Sequence, residues 1–250
     1  MKNILSAFLF LLSANAVALD TYVSTTGNDA NNCLSAATPC ATIQAAADKS
    51  DGGIGPDWGI VHIADGTYSC GANITHFRKV QFIGNPKTPA NVAITSCANY
   101  VFYVQDHATI ILNGMTLSGG NVLQARQFAI LDYENIVFGA ANIHVYVLEG
   151  ARSNCGQVVV SGSATYHVLI DGMSTGNLNC ATTFVPGLSF TAVVVAWNRS
   201  FVSSLGATYP SSATPSGYAY INDYGSLING ASRLIGGTSG ATCGACISVN

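Results

Sequence analysis

Short alternating apolar runs, each closed by a polar or glycine turn, recur along most of the chain. They appear at Ile110 to Leu117, Ala129 to Phe138, Val168 to Met173, Val193 to Phe201 and Tyr220 to Ile228. A period of two predicts β-strands that bury one face and expose the other. The turns at positions 114, 135, 172, 199 and 224 lie 21, 37, 27 and 25 residues apart. Three similar intervals indicate a stacked repeat, and the interval of 37 requires an insertion or one and a half turns. A β-sandwich also uses short strands of this kind, so alternation alone leaves two architectures open. Thr42 to Lys49 is the one segment with clear helical character: Thr42 suits an N-cap, and Asp51-Gly52-Gly53 stops the helix. One helix ahead of many strands predicts a cap over the apolar end of the first coil, which would otherwise be open to association.

Composition points to an exported all-β protein. Hydrophobic residues make up 49% and charged residues 8%, with 26 glycines; this suits strands buried on one face and lacks the Lys/Glu-rich surface of helical proteins. Lys2, the apolar run Ile4 to Leu12 and the small residues Ala14, Ala16 and Ala18 predict a signal peptide over 1–18, leaving 19–250 as a single domain. Within that domain, 19–68 would form the cap and first coil and 69–208 the coils. The remainder, 209–250, opens with a Pro/Ser/Thr-rich loop and ends in a last coil or a separate cap. No later stretch is apolar for long enough to span a bilayer once the signal is cleaved, so the expected location is secreted, extracellular or periplasmic. The net charge of −3 provides no basic stripe for nucleic acid. All eight cysteines lie beyond the signal, where disulfides are the default. Only Cys243 and Cys246 have CxxC spacing, with no second pair to complete a zinc site.

The region from Tyr22 to Tyr68 carries a more specific signal. Tyr22-Val23-Ser24 and Thr26-Gly27-Asn28-Asp29 lead through Cys33 and Pro39-Cys40 into Thr42-Ile43-Gln44-Ala45-Ala46-Ala47-Asp48, and Ile60-Val61-His62-Ile63-Ala64-Asp65-Gly66-Thr67-Tyr68 follows. This order resembles the N-terminal cap of secreted right-handed parallel β-helix proteins of the pectate-lyase-like superfold. The resemblance implies a disulfide-stapled solenoid with one N-terminal capping helix. Neighbouring cysteines would then pair as Cys33–Cys40, Cys70–Cys97, Cys155–Cys180 and Cys243–Cys246. The separations of 27 and 25 residues in the middle two pairs are near one coil of that family, so those bonds would tie adjacent coils.

Candidate chemistry is sparse. Asp106 and Asp132 are 26 residues apart, which would stack them on adjacent coils, and Arg126 is a candidate base beside them. These three form the candidate catalytic set, with Arg152 and Arg199 as other possible bases. If Leu131 and Tyr133 point inward, Asp132 and Glu134 point out. Tyr133, Glu134, Asp171, Trp197 and Arg199 are the candidate substrate contacts, and Tyr100, Tyr103 and Tyr146 could add rings for sugar faces. No metal ligand set is assigned. Calcium is a candidate cofactor because lyases of the superfold use it to acidify a uronate, and Asp106, Asp132 and Asp171 would then hold it. The five histidines do not fall at metal-ligand spacing. Ile136-Val137-Phe138-Gly139-Ala140-Ala141 resembles a strand of pectin methylesterases and Gln105-Asp106 a second segment of theirs, but Asn135 stands where their nucleophilic Asp would be, and Asn cannot form the acyl ester. Three readings of function follow: a secreted protein that binds, or binds and cleaves, an extracellular polysaccharide; a noncatalytic surface or matrix structural or adhesion protein; or a degenerate relative of pectin esterases.

Overall fold

The computed structural model describes residues 19–50, 58–96, 99–210, 212–223, 225–238, 241–242 and 247–249. Among the described residues every strand pair is parallel, and the chain coils into a β-solenoid whose strands form three faces. The first face runs from Asp20–Val23 through Gly59–Ile63, Lys79–Ile83 and the front halves of Thr109–Ser118 and Ile130–Phe138. It continues through Arg152–Cys155, Thr175–Asn177 and Phe201–Ser203 to Leu227–Asn229 and Ile247–Val249. The second face holds Gly66–Ser69, Val92–Thr95, the back halves of those two long strands, Val158–Val160 and Thr182–Phe184. The third runs from Asn73–Ile74 through Tyr100–Val104, Asn121–Ala125, Ile143–Val147, Tyr166–Ile170, Ser189–Ala196 and Ser216–Asn222 to Ala241–Thr242.

Stacking of like on like builds the core. Ile94, Leu117, Phe138, Val160 and Phe184 follow one another in register on the second face, and all are buried. Phe102, Leu123, Val145, Val168 and Val194 do the same on the third. Each coil alone cannot bury its apolar edge, so neighbours supply the cover.

Where the first face bends into the second, a left-handed residue turns the strand without ending it. Gly114 (φ 79°) and Asn135 (φ 53°) occupy this corner, and Asn135 Nδ2 donates to Asn113 Oδ1 at 3.0 Å. A Cβ on Gly114 would also come within 2.3 Å of the Pro86 nitrogen, so glycine is required there. Asn135 stacks on Gln157, whereas Gly172 lies at a different corner beside Glu149. The 37-residue interval between 135 and 172 is therefore a step between two columns of turns, one and a half turns of the solenoid.

The cap forms as expected. The helix spans Ile43–Lys49, Thr42 Oγ1 accepts from the Ala45 amide at 3.2 Å, and Ile43, Ala46 and Ala47 are buried against the first strands. Asp29 holds the loop ahead of it. Burial opposes its charge, but the amides of Thr42 and Ala41 and the Thr42 hydroxyl outweigh that and keep the carboxyl below its ordinary range. Cys33–Cys40 closes the same loop, and Cys155–Cys180, with Cα atoms 5.7 Å apart, ties two successive coils. The expected Cys70–Cys97 and Cys243–Cys246 bonds involve residues outside the described ones, as does the expected signal peptide. No helix among the described residues is long and apolar enough to cross a membrane.

Candidate functional site

The outer side of the third face is the most distinctive surface. Two outward columns cross it, one of Tyr103, Gln124, Tyr146, Leu169, Val195 and Ile221 and one of Tyr100, Asn121, Ile143, Tyr166, Ala192 and Tyr218. The columns stand three residues apart, and strict alternation is broken between them: two consecutive residues on each strand, such as Val101 and Phe102 or Val122 and Leu123, are buried, which leaves the flanking side chains facing away from the core, so an apolar residue here is not explained by interior packing. The face has two halves. Toward the C-terminus, Leu169, Ala192 and Val195 are buried under Tyr146, Tyr166, Trp197 and Ile221, with the Tyr166 and Trp197 rings edge to face at 5.9 Å. Toward the N-terminus the face is polar and concave.

That concavity is an open groove of 750 Å³. Six carboxamides line it: Asn73, Asn99, Gln105, Asn121, Gln124 and Asn142. Asn142 Nδ2 donates to Asn121 Oδ1 at 2.9 Å and the Asn121 backbone amide to the Asn99 carbonyl at 2.6 Å, so these three are neighbours on successive coils, Asn99 and Asn142 one position ahead of Tyr100 and Ile143, which are in register with Asn121. Tyr100 and Tyr103 stack with ring centroids 4.5 Å apart and form an aromatic wall. Arg126 supplies the one cation among the lining residues, and it is already engaged. Its Nε and Nη2 donate to Glu149 Oε2 and Oε1 at 2.9 and 2.5 Å, and its Nη1 to the Tyr103 hydroxyl at 3.3 Å. The Glu149 bonds, then the Tyr103 bond, raise the Arg126 pKa further above its ordinary value, which works against a role as a base.

The sequence candidates distribute over this frame. Gln105, Arg126, Leu148, Asp171, Trp197 and Asp223 follow one another along one edge of the third face, each bonded through its amide to the preceding coil. Asp106 sits next to that edge in a left-handed turn (φ 54°), and Arg199 is exposed farther along it. Asp132 and Glu134 are elsewhere, on the outer side of the first face. Asp132 is in register with Ile111 and Asn154, and Asn154 Nδ2 donates to its Oδ1 at 2.7 Å. The expected stacking of Asp106 on Asp132 therefore does not form. A separation of 26 overshoots the coils here, whose contacts recur at 21 to 23 residues. Tyr133 is corrected as a substrate contact: it is 3% exposed, points into the core beside Phe138, and burial pushes its phenol upward. Tyr100, Tyr103, Tyr146 and Trp197 do lie on the outer third face. Among the described residues no three His, Cys, Asp or Glu side chains gather where an ion could be held, so Asp106, Asp132 and Asp171 do not form a calcium set.

Two features escaped the sequence reading. The set of neighbouring carboxamides at 99, 121 and 142 was signalled only by its spacing, which becomes meaningful once the coil length is known. The other is a histidine pair in the core. His144 Nε2 donates to the Gly139 carbonyl at 2.8 Å, which leaves its Nδ1 to accept from His167 Nδ1 at 3.1 Å. Phe138, Phe184 and Phe190 surround the pair. Burial pushes His144 down to about 4, and burial together with His144 takes His167 well below its ordinary value. Both rings are neutral at pH 7 and serve packing, remote from the groove side of the sheet.

No protein-family model matches the chain, and no curated protein matches it. Comparison with solved structures finds similarity to one described as the crystal structure of Escherichia coli YbhC, at 12% identity and a TM-score of 0.47, covering 94% of this chain and 78% of that one. A likeness of that size carries no argument about function.

Proposed function

We propose that the protein binds an extracellular polysaccharide laid along the outer third face, with the groove beside Tyr100 and Tyr103 as its principal contact. The observation that supports this reading is the pairing of a stacked tyrosine wall with six carboxamides in one open groove. Carboxamides carry donors and acceptors together and match the hydroxyls of a sugar, while aromatic rings receive its C–H faces. An open trough suits a polymer that enters from the side, and the aromatic half of the same face extends the contact along the solenoid. The disulfides Cys33–Cys40 and Cys155–Cys180 fit an oxidising compartment.

Binding is favoured over cleavage by the chemistry around the groove. Hydrolysis needs two carboxylates facing each other across the glycosidic bond, and no carboxylate lines this groove. Proton abstraction needs a free base, and Arg126 is held by Glu149. The test is retardation in native gels cast with a panel of soluble polysaccharides. Wild type is expected to be retarded by at least one polymer, and Tyr100→Ala, which removes the more accessible ring of the stacked pair, to weaken that binding about tenfold through loss of the ring contact. Binding unchanged in Tyr100→Ala would place the site elsewhere.

A further inference from the structure

The charges around this groove narrow the class of ligand, an inference that rests on the polysaccharide reading above. A uronate polymer brings one carboxylate per acidic sugar, and each must meet a cation or stay in water. Arg126 is the only cation among the lining residues, and both carboxylate oxygens of Glu149 are bonded to it. The neighbouring edge adds anions. Tyr146, half-buried beside the pair, is pushed upward by burial and then by Asp171 and Glu149. Asp223, on the same edge, is raised by burial with a contribution from Asp171, against the Asn198 amide. Asp106 flanks Gln105 at the near end, Arg78 in the preceding turn is paired with Asp48, and Arg199 stands away from the groove beside Met173.

We infer that the groove selects uncharged polysaccharide, and that Glu149 sets this preference by cancelling the guanidinium of Arg126. The carboxamides satisfy hydroxyls without requiring charge on the ligand, and the anionic edge repels a chain that carries carboxylates. Glu149 is a positioning residue: it touches Arg126 and directs that guanidinium toward itself and the Tyr103 hydroxyl, away from a ligand. Replacing it with Gln keeps an acceptor for Arg126 but releases the positive charge.

The test is affinity electrophoresis in calcium-free buffer with uncharged polymers such as arabinan, galactan and xyloglucan, and with polygalacturonate, on wild type and Glu149→Gln. Wild type is expected to be retarded by an uncharged polymer and not by polygalacturonate. Glu149→Gln is expected to gain about fivefold in polygalacturonate affinity, the worth of one exposed ion pair, and to lose that gain at high salt. Wild-type binding to polygalacturonate at least as strong as to any uncharged polymer overturns the selectivity while leaving a polysaccharide site in place. Absence of any gain in Glu149→Gln likewise overturns the role of Glu149. Failure of every polymer to retard wild type removes the polysaccharide reading itself.

Discussion

At the scale of single residues, position relative to the strand decides role more than residue type. Asp132 and Tyr133 are adjacent, yet one faces solvent and bonds to Asn154 while the other is sealed in the core. The alternation rule reads this correctly; treating Tyr133 as a sugar contact followed residue type and was overruled by burial. The histidine pair gives a residue-scale prediction. His144 and His167 have folded-state pKa values below the unfolded value of about 6.5. Below pH 6.5 the unfolded chain therefore binds more protons than the folded one, and stability must fall as pH drops toward 4. Thermal denaturation from pH 7 to 4 should show this decline, and His167→Gln, which can still donate to His144 but carries no titrating charge, should show a shallower one. A profile of identical slope in both proteins would mean that other groups govern acid sensitivity.

At the scale of elements, the parts legible in the sequence are those built from local rules. Thr42 as N-cap, the helix it starts and the 33/40 loop all depend on residues close in sequence. Cys155–Cys180 was legible through one extra assumption, a coil length near 25, and its separation of 25 fits the wider coils at that level of the solenoid. The same assumption misled for Asp106 and Asp132, because the coils between them are shorter. Element-scale stability should reflect the staple. Removing both sulfurs in Cys155→Ala/Cys180→Ala should cost about 3.5 kcal/mol, the chain-entropy value for a loop of this length. Urea denaturation of the two proteins measures it, and an unchanged midpoint would show that stacking alone holds these coils together.

At the scale of the whole molecule, the solenoid converts a one-dimensional sequence into columns, and the site exists only in those columns. Asn99, Asn121 and Asn142 mean little as isolated residues, but one per coil they line a trough. Arg126 and Glu149 likewise become an ion pair only because the turn after Asn121–Ala125 stacks beneath the turn after Ile143–Val147. The fold was readable because burial alternates locally, whereas the site depends on register accumulated over several coils of unequal length. The central claim is that a polysaccharide occupies the outer third face. Hydrogen–deuterium exchange with and without the bound polymer measures this most directly. Slower exchange is predicted in 99–105, 121–126 and 142–147, with the first face around 130–134 unchanged. Protection centred on Asp132 and Glu134, or none on the third face at saturating polymer, would contradict the account.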